Sequence, residues 1–130
     1  MLNNKLTVEY YVKDNGICPY KKFLTTINKK MAEKVSREIE LLQQYGIDFD
    51  HVHIKYFRQG IYKLRVNQGN STTRIFFIIE NNIIFILHGF TKVTQKTPEG
   101  EKARIVRYKN DVLKRINKEN RFISRGANKR

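Results

Sequence analysis

Tryptophan is absent, cysteine occurs once, and only 2 prolines and 7 glycines punctuate the 130 residues. A lone Cys18 forms no internal disulfide, and no Cys/His cluster has the spacing of a zinc site, so disulfide scaffolds and zinc fingers are excluded. His51 and His53 flank a single residue without a third ligand, which is a poor metal signal. No apolar run approaches the ~20 residues that a membrane span requires; Ile75–Ile79 and Ile83–Leu87 have five each. Met1–Lys5 lacks the apolar stretch of a signal peptide, and the expected compartment is the cytoplasm. Paired carboxylates, a Gly-x-Ser-x-Gly elbow and a phosphate-binding glycine loop are all missing, which removes the chemistries that depend on them.

Acidic side chains are also scarce, 12 against 26 Lys and Arg, for a net charge of +14. Such an excess on a small domain implies a polyanionic or acidic partner. Its distribution sharpens the point. Residues 1–50 carry 8 basic and 7 acidic groups, whereas residues 51–130 carry 18 and 5. A lysine-rich composition would spread evenly, so the asymmetry argues for a localised basic face. With 40% apolar and 12% aromatic residues the chain is not globally disordered. Its length suits one domain, expected over residues 1–117, with a basic tail at 118–130 that reads as frayed.

The pattern predicts a strand over Thr7–Val12 and a turn at Asp14-Asn15-Gly16. A helix opens at Pro19, and a second runs from Lys29 to Tyr45 with Met31, Val35, Ile39 and Leu42 on one stripe and Gly46 as its stop. Val52–Arg58 reads only as an extended approach. Strands follow at Ile61–Val66, Thr72–Glu80 and Ile83–Lys92, joined by a loop at Asn67–Ser71 and a two-residue turn at Asn81-Asn82. Thr97-Pro98-Glu99 starts a last helix that presents Ala103, Val106, Leu113 and Ile116 inward and runs to about Asn117. The fold class is α+β in β-α-α-β-β-β-α order. Its N-terminal helical hairpin packs on a small antiparallel sheet, and the helices cover one face.

Strand alternation places Lys63 and Arg65 on one face. Arg65 falls nearly opposite Arg74, and two guanidinium groups so placed repel by a few tenths to about 1 kcal/mol. An anion between them removes the conflict, and so does an acid such as Glu80. On the last strand His88, Phe90 and Lys92 share one face, and Leu87, Gly89 and Thr91 the other. Together with Lys96 these residues suit metal-free RNA cleavage. Arginines would hold phosphate oxygens, His88 or Lys92 would move protons, and Phe90 would stack on a splayed base. The competing reading makes His88 and Phe90 core residues, and Lys92 and Lys96 solvated strand-end charges.

Ile61-Tyr62-Lys63-Leu64-Arg65, Arg74-Ile75-Phe76-Phe77 and Leu87-His88-Gly89-Phe90-Thr91-Lys92-Val93-Thr94-Gln95-Lys96-Thr97-Pro98 resemble the phage-derived HigB-like branch of the RelE/ParE toxin superfamily. The resemblance spans roughly Tyr10–Leu113 and implies a RelE-like fold. It further implies the toxin of a type II toxin–antitoxin pair, an endoribonuclease that cuts mRNA on the ribosome without a metal or other cofactor. The implied partners are a helix-turn-helix antitoxin (HigA-like), the ribosome and mRNA, with operator DNA reached through the antitoxin and no membrane. Arg65, Arg74, His88 and Lys92 match the family's catalytic region. Lys63, Phe90, Lys96, Lys102 and Arg104 are the expected RNA contacts. ParE-like members instead inhibit DNA gyrase, and a plain nucleic-acid-binding accessory protein is a third reading.

Overall fold

The computed structural model describes residues 6–47, 53–92 and 98–128, with Lys92 and residues 121–128 as backbone only. The chain opens with β1 (Thr7–Tyr10), followed by α1 (Pro19–Leu24) and α2 (Lys29–Tyr45). Pro19 opens α1, where its missing N–H costs nothing. Asn28 caps α2 by accepting a hydrogen bond from the Met31 N–H at 2.8 Å. Gly46 ends α2 at a φ of 82°, open to glycine without strain.

Four strands come next: β2 (Ile54–Arg58), β3 (Ile61–Gln68), β4 (Ser71–Glu80) and β5 (Ile83–Lys92). The expected order therefore lacks one strand. The approach at 54–58 is itself a strand, antiparallel to β3 at the sheet edge. A bulge at Phe57 breaks the alternation that would have revealed it. Three two-residue turns join these strands: Gln59-Gly60, Gly69-Asn70 and Asn81-Asn82. Positive φ at Gln59, Gly60, Asn81 and Asn82 marks the first and last as the twisted turns that hairpins favour. The loop after β3 is tighter than expected, because Gln68 pairs directly with Ser71.

The sheet order is β1-β5-β4-β3-β2. It is mixed rather than antiparallel, since β1 runs parallel to β5 in the register Thr7–Ile83 to Tyr10–Ile86. The last helix, α3 (Glu99–Asn128), continues past Asn117, so 118–128 is helical backbone and not a frayed tail. Its residues from Lys118 to Arg125 contain no breaker, and an Asp111–Arg115 ion pair supports the turn before them.

The helices do not share one face. α1 and α2 cover one side, where Tyr20, Phe23, Met31, Val35, Ile39 and Leu42 meet Leu64, Val66, Ile75, Phe77, Ile84 and Ile86. α3 covers the other, where Ile105, Tyr108 and Val112 meet Tyr11, Ile61, Phe76, Ile78, Phe85 and Leu87. Ala103, expected inward, is exposed. Val106, Leu113 and Ile116 pack against the core as expected, flanking a buried stripe of Ile105, Tyr108 and Val112. A sheet buried on both sides explains the near-continuous apolar runs of β4 and β5. Tyr11 donates to Asp111 Oδ2 at 2.6 Å, and Arg115 donates to Asp14 and to the Val12 carbonyl, which ties α3 to the end of β1.

Candidate functional site

Register decides which side chains meet. Arg65 pairs with Arg74 across β3 and β4, and Arg74 pairs with Phe90 across β4 and β5. The neighbouring row runs Lys55, Lys63, Phe76, His88 across four strands. Both rows lie on the α3 side, since Phe76 belongs to that core. Phe76 pairs with His88 but Phe77 pairs with Ile86, so Leu87 is an extra, bulged residue. Leu87 packs in the α3-side core next to His88, not on the opposite face with Gly89 and Thr91. The bulge re-aims the strand so that buried apolar alternation before it becomes a row of functional candidates after it.

The two guanidinium groups are the most unusual feature of this face. Arg74 is only 4% exposed. Its Nε and Nη1, and Nε of Arg65, are buried without an acceptor among the described residues. Glu80, the acid in the competing reading, sits at the far end of β4 opposite Ile83. Burial and then Arg65 push the Arg74 pKa down, the response of a cation held in a dry, positive place. Unpaired buried N–H groups normally cost about 1–3 kcal/mol each, and more on a charged group. The arrangement therefore stores a demand for an anion.

Lys63 extends this field. Burial, Arg74, Arg65 and Lys102 all lower its pKa, in that order, so its proton leaves more readily than from an ordinary lysine. The Lys102 effect also locates the first turn of α3 near β3. Lys102 itself pairs with Glu99 at 3.1 Å. Phe57, Phe76 and Phe90 form an aromatic run beside the cations. Phe76 stacks on Phe90 at 5.6 Å and meets Phe57 edge-on at 5.0 Å, and Lys63 Nζ lies 6.0 Å from the Phe57 ring. Phe90 is thus half-buried and partly spent on packing.

His88 joins the sheet to α3. Its Nε2 lies 2.9 Å from Glu101 Oε1, which also accepts from Arg104 Nη1 at 2.9 Å. Burial lowers the His88 pKa; Glu101 opposes this and Arg104 reinforces it. The ring is neutral near pH 7. Its Nε2–H therefore donates to Glu101, and Nδ1 is left as a buried acceptor without a partner among the described residues.

Arg65, Arg74, His88, Lys63 and Phe90 thus share one face, with Lys102 and Arg104 above it on α3. Lys92 joins the face by register, opposite Thr72. Lys96 and His51 lie outside the described residues. Two participants were not legible in the sequence. Lys55 needed β2 to be recognised as a strand, and Glu101 lies 13 residues from the histidine it holds.

The family model described as Phage derived protein Gp49-like (DUF891) matches residues 22–110. That span runs from within α1 through all the pairing strands of the site to Asn110 of α3. No curated protein matches the sequence. On a match covering about two thirds of its residues, the chain belongs to the phage-derived Gp49-like family, which is RelE/toxin-like.

Proposed function

We propose that this Gp49-like protein is the toxin of a type II toxin–antitoxin pair of the HigB-like branch, acting as a metal-independent, ribosome-dependent mRNA endonuclease in the cytoplasm. Its neutralising partner is a helix-turn-helix antitoxin, through which the pair would contact operator DNA. The observation that carries the reading is the Arg65–Arg74 pair, whose buried N–H donors face no carboxylate among the described residues.

The chemistry follows from what phosphodiester cleavage needs. The 2′-hydroxyl attacks the adjacent phosphorus, negative charge grows on the non-bridging oxygens, and the 5′-oxygen leaves with a proton. Arg65 and Arg74 are suited to the growing charge, because planar guanidinium groups donate paired hydrogen bonds to phosphate oxygens. Donors already fixed in a dry site need no reorganisation as the charge develops. His88, held through Nε2 by Glu101, and Lys92 are the two candidates for proton transfer. Lys63, Phe90, Lys96, Lys102 and Arg104 would hold the message or ribosomal RNA around this point.

The test is expression of Arg65→Ala without an antitoxin. The expected outcome is relief of growth arrest, with in vivo cleavage falling about 10²–10³-fold by primer extension, from a protein that stays folded. Full arrest by soluble Arg65→Ala would remove the site. Intact transcripts with trapped gyrase–DNA complexes would show instead that the wild-type protein acts as the ParE-like members do.

A further inference from the structure

At the β5 edge lies a groove of about 660 Å³ that shares His88, Phe90 and Arg104 with the cleavage site and adds Lys13, Ile17 and Lys22, which the cleavage reading leaves unused. It opens where β1 leaves β5. Strand pairing between them ends at Tyr10–Ile86, and the next bond is Tyr11 N–H to the Ile86 carbonyl. Beyond that point no strand among the described residues covers the outer edge of β5. The groove runs along this edge with His88, Gly89 and Thr91 in its floor. One wall comes from α1 and the loop before it, the other from the first turns of α3.

Its charge is lopsided. Lys13, Lys22 and Arg104 line it against a single carboxylate, Glu101, which already serves His88 and Arg104. Neither Lys13 nor Lys22 makes an ion pair among the described residues, and Lys22 is exposed. Apolar surface is also present: Ile17, 42% exposed, stands at the rim beside Pro19 and Phe23. The volume lies within the range of roughly 300–1,000 Å³ typical of small-ligand sites. The groove starts one strand beyond Arg74, since Arg74 pairs with Phe90 of β5. At about 4.8 Å per strand, this is the reach of a neighbouring nucleotide unit.

We infer that this groove seats the nucleotide next to the scissile linkage, with its base along the β5 edge and its outer phosphate on Lys13 and Lys22. The inference rests on the cleavage reading above. Three features favour RNA over a peptide added to the strand edge. The cations continue those of Arg65 and Arg74 across the edge, as a polymer charged at every unit requires. The groove combines an apolar wall with cations at its rim, which suits a base joined to a phosphate. Gly89 and Thr91 line the groove on a stretch of β5 whose outer edge no described strand covers, which leaves edge backbone donors and acceptors there to read a base.

The experiment uses the full chain made by cell-free synthesis, with 2′-O-methylated RNA di- and trinucleotides that cannot be cleaved. Wild-type protein should bind trinucleotides about tenfold more tightly than dinucleotides. Lys13→Glu/Lys22→Glu should abolish that advantage and leave dinucleotide affinity unchanged. Lys29→Glu/Lys30→Glu on the exposed start of α2 makes the same charge change away from the groove and should preserve the advantage. Arg65→Ala should weaken both oligonucleotides. If Lys13→Glu/Lys22→Glu lowers di- and trinucleotide binding equally, the lysines supply only a general field and the inference falls. It also falls if the trinucleotide is unaffected while Arg65→Ala still abolishes cleavage, an outcome that leaves the cleavage reading standing. Binding of an octaglutamate peptide that depends on Lys13 and Lys22, without RNA binding, would make the groove a protein-docking edge and overturn the inference. If Arg65→Ala retains full RNA binding and full toxicity, the cleavage reading itself is lost.

Discussion

The two faces of the sheet use alternate residues of the same strands, yet they bury different things. Toward α1 and α2, residues such as Leu64, Val66, Ile75 and Phe77 form a continuous apolar layer. Toward α3, the apolar layer stops partway. Ile61, Phe76 and Leu87 are fully buried, but Phe76 shares its row with Lys63 and His88, and the next row holds Arg65 and Arg74. One face is organised for stability alone. The other gives up stability where α3 begins, with like charges opposed at Lys55–Lys63 and at Arg65–Arg74. Evidently the stable face tolerates the strained one, since a domain can carry a few unfavourable kcal/mol only while its remaining burial exceeds them.

The sharpest way to break this contrast is a truncation on the α1/α2 face. Phe77→Ala, at a fully buried site, should cost about 3–5 kcal/mol and lower the denaturant midpoint markedly. The same loss without a fall in stability would mean that this layer is not the main support. Arg74→Met tests the other face and should act in the opposite direction. Replacing a buried cation that meets no acceptor among the described residues by an apolar side chain of similar length should stabilise the fold by about 1–4 kcal/mol in chemical denaturation while abolishing cleavage. A destabilised Arg74→Met protein would show that the guanidinium already has its anion within the fold.

Gly89 sharpens the comparison where the two faces come closest. A Cβ there would lie 2.8 Å from both Ile75 Cδ1 and Phe23 Cδ2, on the packed side of β5. Gly89→Ala should cost about 1–3 kcal/mol by overpacking, read as a lower Tm. An unchanged Tm would mean that α1 shifts freely on the sheet.

The smallest expected effect is the pH response of His88. Its folded pKa is lowered, chiefly by burial, so the unfolded chain binds the proton more readily. Its neutral form contributes stability that is fully present above the ordinary value of about 6.5 and declines as pH falls below it. Tm should drop below pH 6.5, and His88→Gln should flatten that limb. A limb of equal slope in His88→Gln would assign it to other groups.

Much of the sheet was legible from its residues. The α2 stripe of Met31, Val35, Ile39 and Leu42 is buried as its spacing requires, and Asn81-Asn82 forms the turn its composition favours. The opposition of Arg65 and Arg74 also follows from strand alternation and a short connection. What failed did so where local pattern carries no information. The Leu87 bulge shifts the face of every later β5 residue relative to those before it, and no propensity marks that one inserted residue. The parallel addition of β1 depends on contacts made more than 70 residues away in the chain, from Thr7 to Ile83. α3 misled at Ala103, which lies on the far side of the helix from Ile105, Tyr108 and Val112, whereas the expected Val106, Leu113 and Ile116 do pack against the core.

The amino-acid sequence by itself determined the three helices and four of the five strands, the basic second half and the pairing that brings two arginines together. Those are consequences of side-chain period, turn chemistry and charge count, all local quantities. The tertiary structure alone decided that α3 lies on the opposite face from α1 and α2, that Glu101 holds His88, and that Arg74 is buried without a counter-ion among the described residues. Burial and partnership depend on which distant surfaces meet, and free energies of that kind are not written in any one segment.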